Sequence, residues 1–433
     1  MNSPTTITGP TLLITIALAI MTFVIPRRYI LLPYVIGACF APADQTLMVG
    51  ELNFQVLRIL VVVGMLRLAL RGEIIALRWN RFDKLILAWF VVGSVIYVAQ
   101  WMSLTAIINR CGRFVEWLCL YWVFRQSVRS WDDLRFAYVA LAFCALAMLP
   151  FVVLEWIRGA NPFAVLGRVV TVFREENYRC QATFPHSIMM GLFWATLVPL
   201  FVGFARQQAR YRWVFWAAVG ASTIMIWMTA SSTPILTVAA VAVLLLAFPL
   251  RQYTGMASWG VLAMVIALDI VMKAPVWHLV SRVGVVSGST GWHRFYLIDQ
   301  SIRHFPQWML LGTRNTGAWG WGLEDVTNQY ILEGVRGGFL TLVLFCVVLF
   351  VGARAVLRLS LRSRDLSKSY LAWGLFVTVI AHCLSFIGVS YFGQIDLIWY
   401  LLLASVAFAY SQVYEVPQRV ERVAVAARPQ HAY

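Results

Sequence analysis

The sequence predicts an all-α membrane protein, and three observations support this fold class. Hydrophobic residues make up 61% of the 433 residues. Charged residues make up only 12%, whereas roughly a quarter of the residues of a soluble domain are charged. Apolar stretches recur along the whole chain, and each approaches the roughly 20 residues that a helix needs to cross a bilayer. We therefore interpret residues 1–433 as a single integral membrane domain.

The apolar stretches predict about twelve or thirteen membrane spans. In chain order they are 7–25, 29–45, 52–70, 83–102, 105–124, 136–157, 185–204, 213–230, 233–250, 258–275, 329–353, 370–390 and 395–413. The first lacks the basic start and the A-x-A-like exit of a cleavable signal, so it is interpreted as a retained helix. The count is twelve if one of the first two is re-entrant.

The net charge of +16 has an uneven distribution along the chain. Lys and Arg concentrate on alternate connections, and by the positive-inside rule these connections are cytoplasmic. The basic tail 414–433 is then a cytoplasmic orientation signal, and no nucleic-acid partner is expected. Two connections on the opposite side are long, residues 158–185 and the large periplasmic loop 275–328. The chemistry-bearing sequence is therefore expected outside.

Several function classes are disfavoured by what the sequence contains. Six of the seven cysteines fall in apolar runs, which argues against a disulfide framework or a Cys-rich metal site. The sequence has no H-E-x-x-H, no G-x-S-x-G and no P-loop motif. We expect neither a metal nor a cofactor.

Charged residues within the predicted spans lie almost all in the outer half of the membrane. Each costs about 2.5–3.5 kcal/mol at the bilayer centre, so each needs a reason. Arg58, Arg110 and Arg113 lie about 8–15 Å below the outer surface, and Arg113 can pair with Glu116 at i, i+3. One interpretation is snorkelling arginines or pairs that lock helices together. The other, favoured by the one-sided distribution, is an outward-open cavity for an anionic ligand, because the planar guanidinium suits phosphate and carboxylate.

The outer loops contain further candidate residues. Arg179 and His186 precede the seventh predicted span, where His186 is either a ligand or an interface or capping histidine. Residues 294–303 are spaced as an amphipathic helix that carries Arg294 and Arg303 and that Phe305-Pro306 ends. A turn rich in Gly and Trp follows at 312–322, and its rings either stack on sugars or belong to an interface belt.

The eleventh span begins with an unusually polar stretch, "DVTNQYILEGVRGGFL". Asp325 and Thr327 are N-cap residue types, and a helix N-terminus attracts anions. Gln329, Glu333 and Arg336 continue this polar face at i, i+4 and i+7. The stretch is either part of a phosphate-binding site or an ordinary capped helix with a structural Glu333–Arg336 pair.

These features together resemble the O-antigen ligase and polysaccharide polymerase family of bacterial inner-membrane glycosyltransferases. The similar motifs are Arg179 with "ATF" and Pro185-His186, "SSTP" at 231–234 without the family's arginine, and the segment from Arg294 to Gly312. In "TNQYI", Asn328 and Tyr330 match the family pattern, and Gly338 matches its glycine. Thr327 stands where the family has a histidine, which favours a polymerase over a ligase.

The resemblance implies a GT-C-like bundle in the bacterial inner membrane, with its active face in the periplasm. An undecaprenyl-diphosphate-linked saccharide would be the donor, and a saccharide or lipid-linked acceptor would attack with inversion, without a metal. The implied catalytic residues are Arg294, Glu333 and Asn328. The implied diphosphate-binding residues are Arg58, Arg110, Arg113, Arg179, Arg303 and Arg336. The implied substrate-binding residues are His186, Thr327 and Tyr330. For the general base, Glu333 is preferred over Asp325, Glu324 and His304.

The alternative function is a transporter or flippase for an anionic or lipid-linked solute. Such proteins usually have two similar halves and helices broken at the midplane. The sequence shows no clear internal repeat and few polar residues in the inner half of the spans. A scaffold role is the third hypothesis.

Overall fold

A computed structural model of the chain describes residues 5–49, 52–74, 79–167, 170–174, 176–207, 210–282 and 291–415. The helices are α1 Gly9–Val24, α2 Leu31–Phe40, α3 Val56–Leu70, α4 Arg81–Trp101, α5 Leu104–Arg113, α6 Leu120–Ser127, α7 Trp131–Arg158, α8 Ser187–Gln207, α9 Arg212–Met228, α10 Ser232–Leu246, α11 Thr254–Val271, α12 Leu279–Arg282, α13 Gly291–Arg303, α14 Phe305–Trp308, α15 Gln329–Arg362, α16 Leu366–Gly388 and α17 Ile395–Tyr414. The strands are β1 Thr5–Thr6, β2 Gln45–Val49, β3 Leu52–Gln55, β4 Val172–Arg174 and β5 Asn177–Arg179.

Within these described ranges, seven helices are long and apolar enough to cross a membrane. They are α4, α7, α8, α15, α16, α17 and the segment Phe248–Val271, which joins a 3₁₀ turn to α11. The prediction of a helical, multi-pass membrane protein is therefore confirmed. The other predicted spans correspond to shorter helices, so length and composition alone do not fix the number of crossings. The predicted tail 414–433 lies outside the described residues from position 416 onward.

The second predicted span, 29–45, is shorter than expected. Helix α2 stops at Phe40, and Ala41 is extended with φ −100° and ψ 129°. Ala41 precedes Pro42, and a residue before proline is disfavoured in the helical region. The chain then forms β2, which pairs antiparallel with β3 and parallel with β1. The correction to the all-α prediction is thus confined to small sheets at the helix ends.

The basic connections predicted to share one side of the membrane do meet at one end of the bundle. The Arg27 guanidinium donates to the backbone of Ser127, 3.2 Å away. The fully buried Arg67 donates to the carbonyl of Thr22 at 2.7 Å. The Asn80 side chain, which caps α4, reaches the carbonyl of Ala407 at 2.9 Å. We call this end the basic end and the opposite one the site end.

Helices α8, α16 and α17 form the centre of the bundle. Almost the whole of α8 is buried, and most of α16 and α17 is buried as well. Small residues allow this close packing: a Cβ added at Gly374 would lie 2.8 Å from the Pro199 carbonyl oxygen of α8. By contrast, α11 buries none of its residues. It stands at the periphery, where lipid would surround it.

The predicted large loop folds as a helical cap over the N-terminus of α15. Its described parts are 275–282 and 291–328, and they contain α12, α13 and α14. The cap and α15 share a small hydrophobic core that includes Leu297, Trp308 and Trp319. The predicted amphipathic helix 294–303 is confirmed as part of α13. The cap is therefore an ordered platform that positions side chains against the site end.

Candidate functional site

Gly338 divides α15 into two segments. Its backbone has φ +70° and ψ 175°, which is not helical. At the break, the Phe339 N–H donates to the Met309 carbonyl at 2.8 Å, and the Val335 carbonyl accepts from the Thr313 N–H at 2.8 Å. A Cβ at Gly338 would overlap the Leu310 carbonyl oxygen, so the position requires glycine. The cap loop 309–313 therefore holds Gln329–Gly337 as a separate two-turn segment.

The N-cap of this segment is Asn328, and the prediction that Asp325 or Thr327 forms it was wrong. The Asn328 Oδ1 accepts from the Ile331 N–H at 3.1 Å, and its Nδ2 donates to the Ile387 carbonyl at 3.0 Å. Both polar atoms are thus engaged with the protein. Asn328 fixes the start of α15 against the C-terminal end of α16, as a positioning residue does.

Tyr330 is also held by protein contacts. Its hydroxyl donates to the Cys383 carbonyl at 3.0 Å, and its ring packs against Phe345 and Phe386. This placement supports an anchoring role in the core more than the predicted contact with substrate.

Glu333 is a buried carboxylate, only 9% exposed, that faces α4. Its Oε2 accepts from the indole N–H of Trp89 at 3.0 Å, and its Oε1 accepts from the Gln329 amide at 2.7 Å. The Gln329 Oε1 accepts in turn from the Tyr391 N–H at 2.9 Å. Glu333 does not form the alternative i, i+3 ion pair with Arg336 among the described contacts. Its carboxylate is oriented by neutral donors instead.

A pocket opens beside this carboxylate, and we call it the Glu333 pocket. Its lining residues are Trp89, Phe90, Gly93, Arg110, Trp117, Glu333, Arg336, Gly337 and Thr341. Arg110 lies 3.8 Å from the ring centre of Tyr97, and its Nε is buried without a hydrogen-bond partner among the described residues. The pocket therefore combines two guanidinium groups with one carboxylate.

Arg58 and Arg113 share a single carboxylate partner. Both contact the carboxylate of Glu116, Arg58 through a short ion pair and Arg113 at 3.3 Å. The Arg113 guanidinium also lies over the Trp117 ring, 5.1 Å from its centre. The predicted Arg113–Glu116 pair is confirmed. Glu116 lies in the π-helical stretch Phe114–Cys119 and Arg58 lies in α3, so their ion pair joins these two elements. This favours the interpretation in which the charges lock helices together.

Arg179 and Arg294 come together from two different elements, and we call their surroundings the Arg179–Arg294 site. Arg179 ends β5 and donates through Nη2 to the Ser231 hydroxyl at 2.7 Å. Arg294, on α13, donates through Nε to the Gly388 carbonyl at 3.0 Å. Burial, together with the positive charges of Arg174 and Arg294, lowers the pKa of Arg179 from its usual value. Burial likewise lowers the pKa of Arg294.

This second site contains basic groups without carboxylate partners. In the described part of the chain, neither Arg179 nor Arg294 makes an ion pair. The Arg179 Nε and the Thr233 hydroxyl are buried there without a hydrogen-bond partner among described residues, and the Thr327 hydroxyl, just before α15, is buried without one as well. A Cβ at Gly388 would lie 3.2 Å from the Thr233 hydroxyl and 3.6 Å from the Arg294 Nε, so these groups are neighbours. Such an arrangement can bind an anion.

His186 borders this site and precedes α8. Its Nδ1 accepts from the Ile188 N–H at 3.1 Å, as expected of a histidine that caps a helix. Burial, and next the positive charge of Arg179, lower the pKa of His186 to about 4, against the opposing effect of Asp325. The ring is therefore neutral at pH 7 and adds no positive charge to the site.

Glu155, near the end of α7, organises the loop that carries Arg179. Its carboxylate accepts from the backbone N–H groups of Gln181 and Ala182, at 3.1 and 2.9 Å. It also accepts from Thr171 at 2.9 Å and Asn161 at 3.2 Å. The sequence showed a carboxylate in the last turn of an apolar helix, but it did not reveal this role.

Other predicted residues lie away from both sites. Arg303 pairs with Asp299 at 2.6 Å and its side chain is 68% exposed. The His304 ring stacks on Trp319, which is buried, and the Glu324 side chain is exposed. Trp321, 92% exposed, is the ring of the turn that is accessible for stacking.

By their contacts among described residues, the predicted residues fall into two basic groups, one around Arg179 and Arg294 and one around the Glu333 pocket. No hydrogen bond or ion pair between described residues joins the Arg179–Arg294 site to the Glu333 pocket. The first segment of α15 stands between them, since Asn328 contacts α16 and Glu333 contacts α4. Over the described ranges, no group of three or more His, Cys, Asp or Glu residues could hold a metal ion.

The fold defines the chain as a helical, multi-pass membrane protein. Comparison with protein-family models and with curated proteins found no match.

Proposed function

We propose that the protein is a glycosyltransferase that polymerises or ligates undecaprenyl-diphosphate-linked saccharides, with the donor diphosphate bound at the Arg179–Arg294 site. The observation that supports this most is the convergence of a buried arginine, Arg294, and a half-buried one, Arg179, from separate elements and without a carboxylate partner in the described chain. A buried guanidinium without a counter-ion is costly, so such a pair is best explained by an anionic ligand.

The site suits a diphosphate leaving group. A guanidinium carries five N–H donors, and each arginine uses one in the contacts described above. The remaining donors can bind phosphate oxygens. In the reaction, the bond between the anomeric carbon and the diphosphate oxygen breaks while the acceptor oxygen bonds to that carbon. Arginines fixed where negative charge develops lower the barrier to this step.

The general base would take the proton of the acceptor hydroxyl. The geometry favours Asp325 over Glu333, which the sequence preferred. Both oxygens of Glu333 already accept hydrogen bonds, and Glu333 lies in the other pocket. Asp325 is exposed, and its charge acts on His186, which also responds to Arg179. We therefore prefer Asp325 as the general base.

The proposed orientation follows from the charges. By the positive-inside rule, the basic end faces the cytoplasm of a bacterial cell and the site end faces the periplasm. A lipid-linked donor in the outer leaflet of the inner membrane would then bring its diphosphate to the level of Arg179 and Arg294. The acceptor, a saccharide or a lipid-linked chain, would approach from the cap.

The test compares Arg294→Gln with Arg303→Gln, two changes on the same helix. With purified protein and a lipid-linked donor, we expect R294Q to slow transfer about 10²–10³-fold, which is the usual effect of losing one charge-stabilising group. R303Q should stay close to the wild type, because Arg303 is exposed and paired with Asp299. In the native host, R294Q should shorten or remove the surface polysaccharide. An unchanged gel profile and rate for R294Q would contradict the proposal.

One observation favours the alternative of a transporter or flippase, namely the broken helix α15 beside the Glu333 pocket. The position of the break argues the other way. The 24 residues Phe339–Arg362 are about 36 Å long at 1.5 Å per residue, enough to cross the hydrocarbon core alone. The break thus lies at the mouth of the span instead of its middle. Uptake or flipping by the protein in liposomes, without transfer activity, would support the alternative.

A further inference from the structure

A cavity at the basic end, which is the end of the bundle opposite both sites described above, has features of a lipid site. Its volume is about 370 Å³. The lining residues are Ala205, Arg206, Arg212, Trp216, Phe248, Leu366, Ser367 and Tyr370. They come from the end of α8, the start of α9, the turn before α11 and the start of α16. We call this cavity the Arg206 groove.

Two guanidinium groups supply the charge of the groove. Arg206 lies over the ring of Tyr370, 4.2 Å from its centre, so its position is fixed by the ring. Tyr370 itself is buried and packs on Phe248 with the ring centres 4.6 Å apart. Among described residues, Arg206 and Arg212 form no ion pair with a carboxylate. The groove is therefore positive.

Asp365, which precedes the lining residue Leu366, does not cancel this charge by contact. Asp365 is the N-cap of α16, and its carboxylate accepts from the Ser367 N–H at 2.9 Å. That bond directs it to the helix N-terminus. Asp365 is exposed and is not part of the groove lining.

Apart from Ser367, the rest of the lining is apolar or aromatic, and two of its side chains are open to the surroundings. Trp216 is 39% exposed and Leu366 is 67% exposed. Trp216 lies near the start of α9, and Leu366 is the first residue of α16. A soluble anion would gain nothing from these side chains. An amphiphile with a charged head and acyl chains would contact the arginines and the apolar lining together.

We propose that the Arg206 groove binds the phosphate headgroup of an anionic phospholipid, with the acyl chains along Trp216 and Leu366. Basic pockets between membrane helices on the cytoplasmic side commonly bind such headgroups. The proposal is independent of the glycosyltransferase function, because it concerns the opposite end of the bundle.

The test uses the full-length protein in a neutral detergent and titrates phosphatidylglycerol or phosphatidylcholine at equal mole fractions. The readout is the thermal unfolding temperature. We expect phosphatidylglycerol to raise it in a saturable way and phosphatidylcholine to have little effect. The double variant Arg206→Gln/Arg212→Gln should need at least tenfold more phosphatidylglycerol for the same rise.

The matched control is Arg354→Gln/Arg364→Gln, which removes the same charge from exposed positions at the same end. It should respond like the wild type. A control that loses the response as strongly as the groove variant would show a diffuse charge effect and overturn the proposal. Equal stabilisation by phosphatidylcholine would overturn the proposal, because the groove would then not select an anionic headgroup. An equal rise in unfolding temperature with millimolar inorganic phosphate would also overturn it, because the groove would then not select a lipid. Baseline unfolding temperatures without lipid show whether each variant is folded.

Discussion

Replacing Gly338 with alanine tests whether the break in α15 is required. At φ +70° and ψ 175°, the backbone occupies a region nearly restricted to glycine, and a non-glycine residue there costs about 1–3 kcal/mol. The new Cβ would also displace the Leu310 carbonyl, which weakens the hydrogen bonds from Phe339 and Thr313 across the break. Each such bond contributes about 0.5–1.5 kcal/mol. The expected loss for G338A is therefore about 2–6 kcal/mol if both bonds are lost.

The control is Gly260→Ala in α11. Gly260 is helical, and nothing lies within 4 Å of the added Cβ. Alanine is the better helix former by about 0.5–1 kcal/mol, so G260A should be neutral or slightly stabilising. The measurement is the free energy of unfolding of both variants in the same detergent, by denaturant titration. If G338A proves as stable as G260A, α15 can straighten without cost and the cap does not depend on the break.

Two further substitutions test carboxylates that accept several hydrogen bonds or an ion pair, and a third is their control. Glu155→Gln leaves one N–H donor of the loop facing an amide NH₂. We therefore expect a loss of about 1–3 kcal/mol in the free energy of unfolding. The proposed transfer activity should fall as well, because Glu155 supports the loop that carries Arg179. Glu73, outside the helices, has its pKa held below its usual value of about 4.5 first by the hydrogen bond from Arg67. The stabilisation from this ion pair is complete above pH 4.5 and is lost as the pH falls below that value. Glu73→Gln should therefore remove this part of the acid sensitivity of folding. It should also lower the free energy of unfolding by about 1.5–3 kcal/mol at pH 7. Asp132→Asn at an exposed pair should cost under about 1 kcal/mol. Unfolding titrations from pH 3 to 8 check all three, and identical pH profiles for the wild type and E73Q would refute the Glu73 assignment.

Local patterns in the sequence were sufficient to predict most of the helices and one side-chain pair. The apolar runs predicted the helical bundle, and the i, i+3 spacing predicted the Arg113–Glu116 pair. The Phe305-Pro306 dipeptide predicted where α13 ends. These features depend on residues a few positions apart. Two predicted spans were wrong at one end: Pro42 shortens α2, which is also a local signal, and the first four residues of the span 52–70 form β3.

The arrangement of the site could not be predicted, because its contacts join distant parts of the chain. Glu155 meets the backbone of Gln181 and Ala182, and Arg294 meets the carbonyl of Gly388. For a residue within a predicted span, the sequence indicated only how far it lies below the membrane surface. Residues at equal depth on different helices were therefore grouped together, although the start of α15 separates them into two sites.

Helix α11 has a consequence for how tolerant the sequence is to change. No neighbouring helix buries its side chains, so its residues before Asp269 need only be compatible with hydrocarbon. Asp269 accepts from the Val276 N–H at 3.0 Å. Exchange of the segment 254–268 for an unrelated apolar helix of equal length should preserve insertion and assembly. The same exchange in α8, surrounded on every side by protein, would remove the central packing of the molecule.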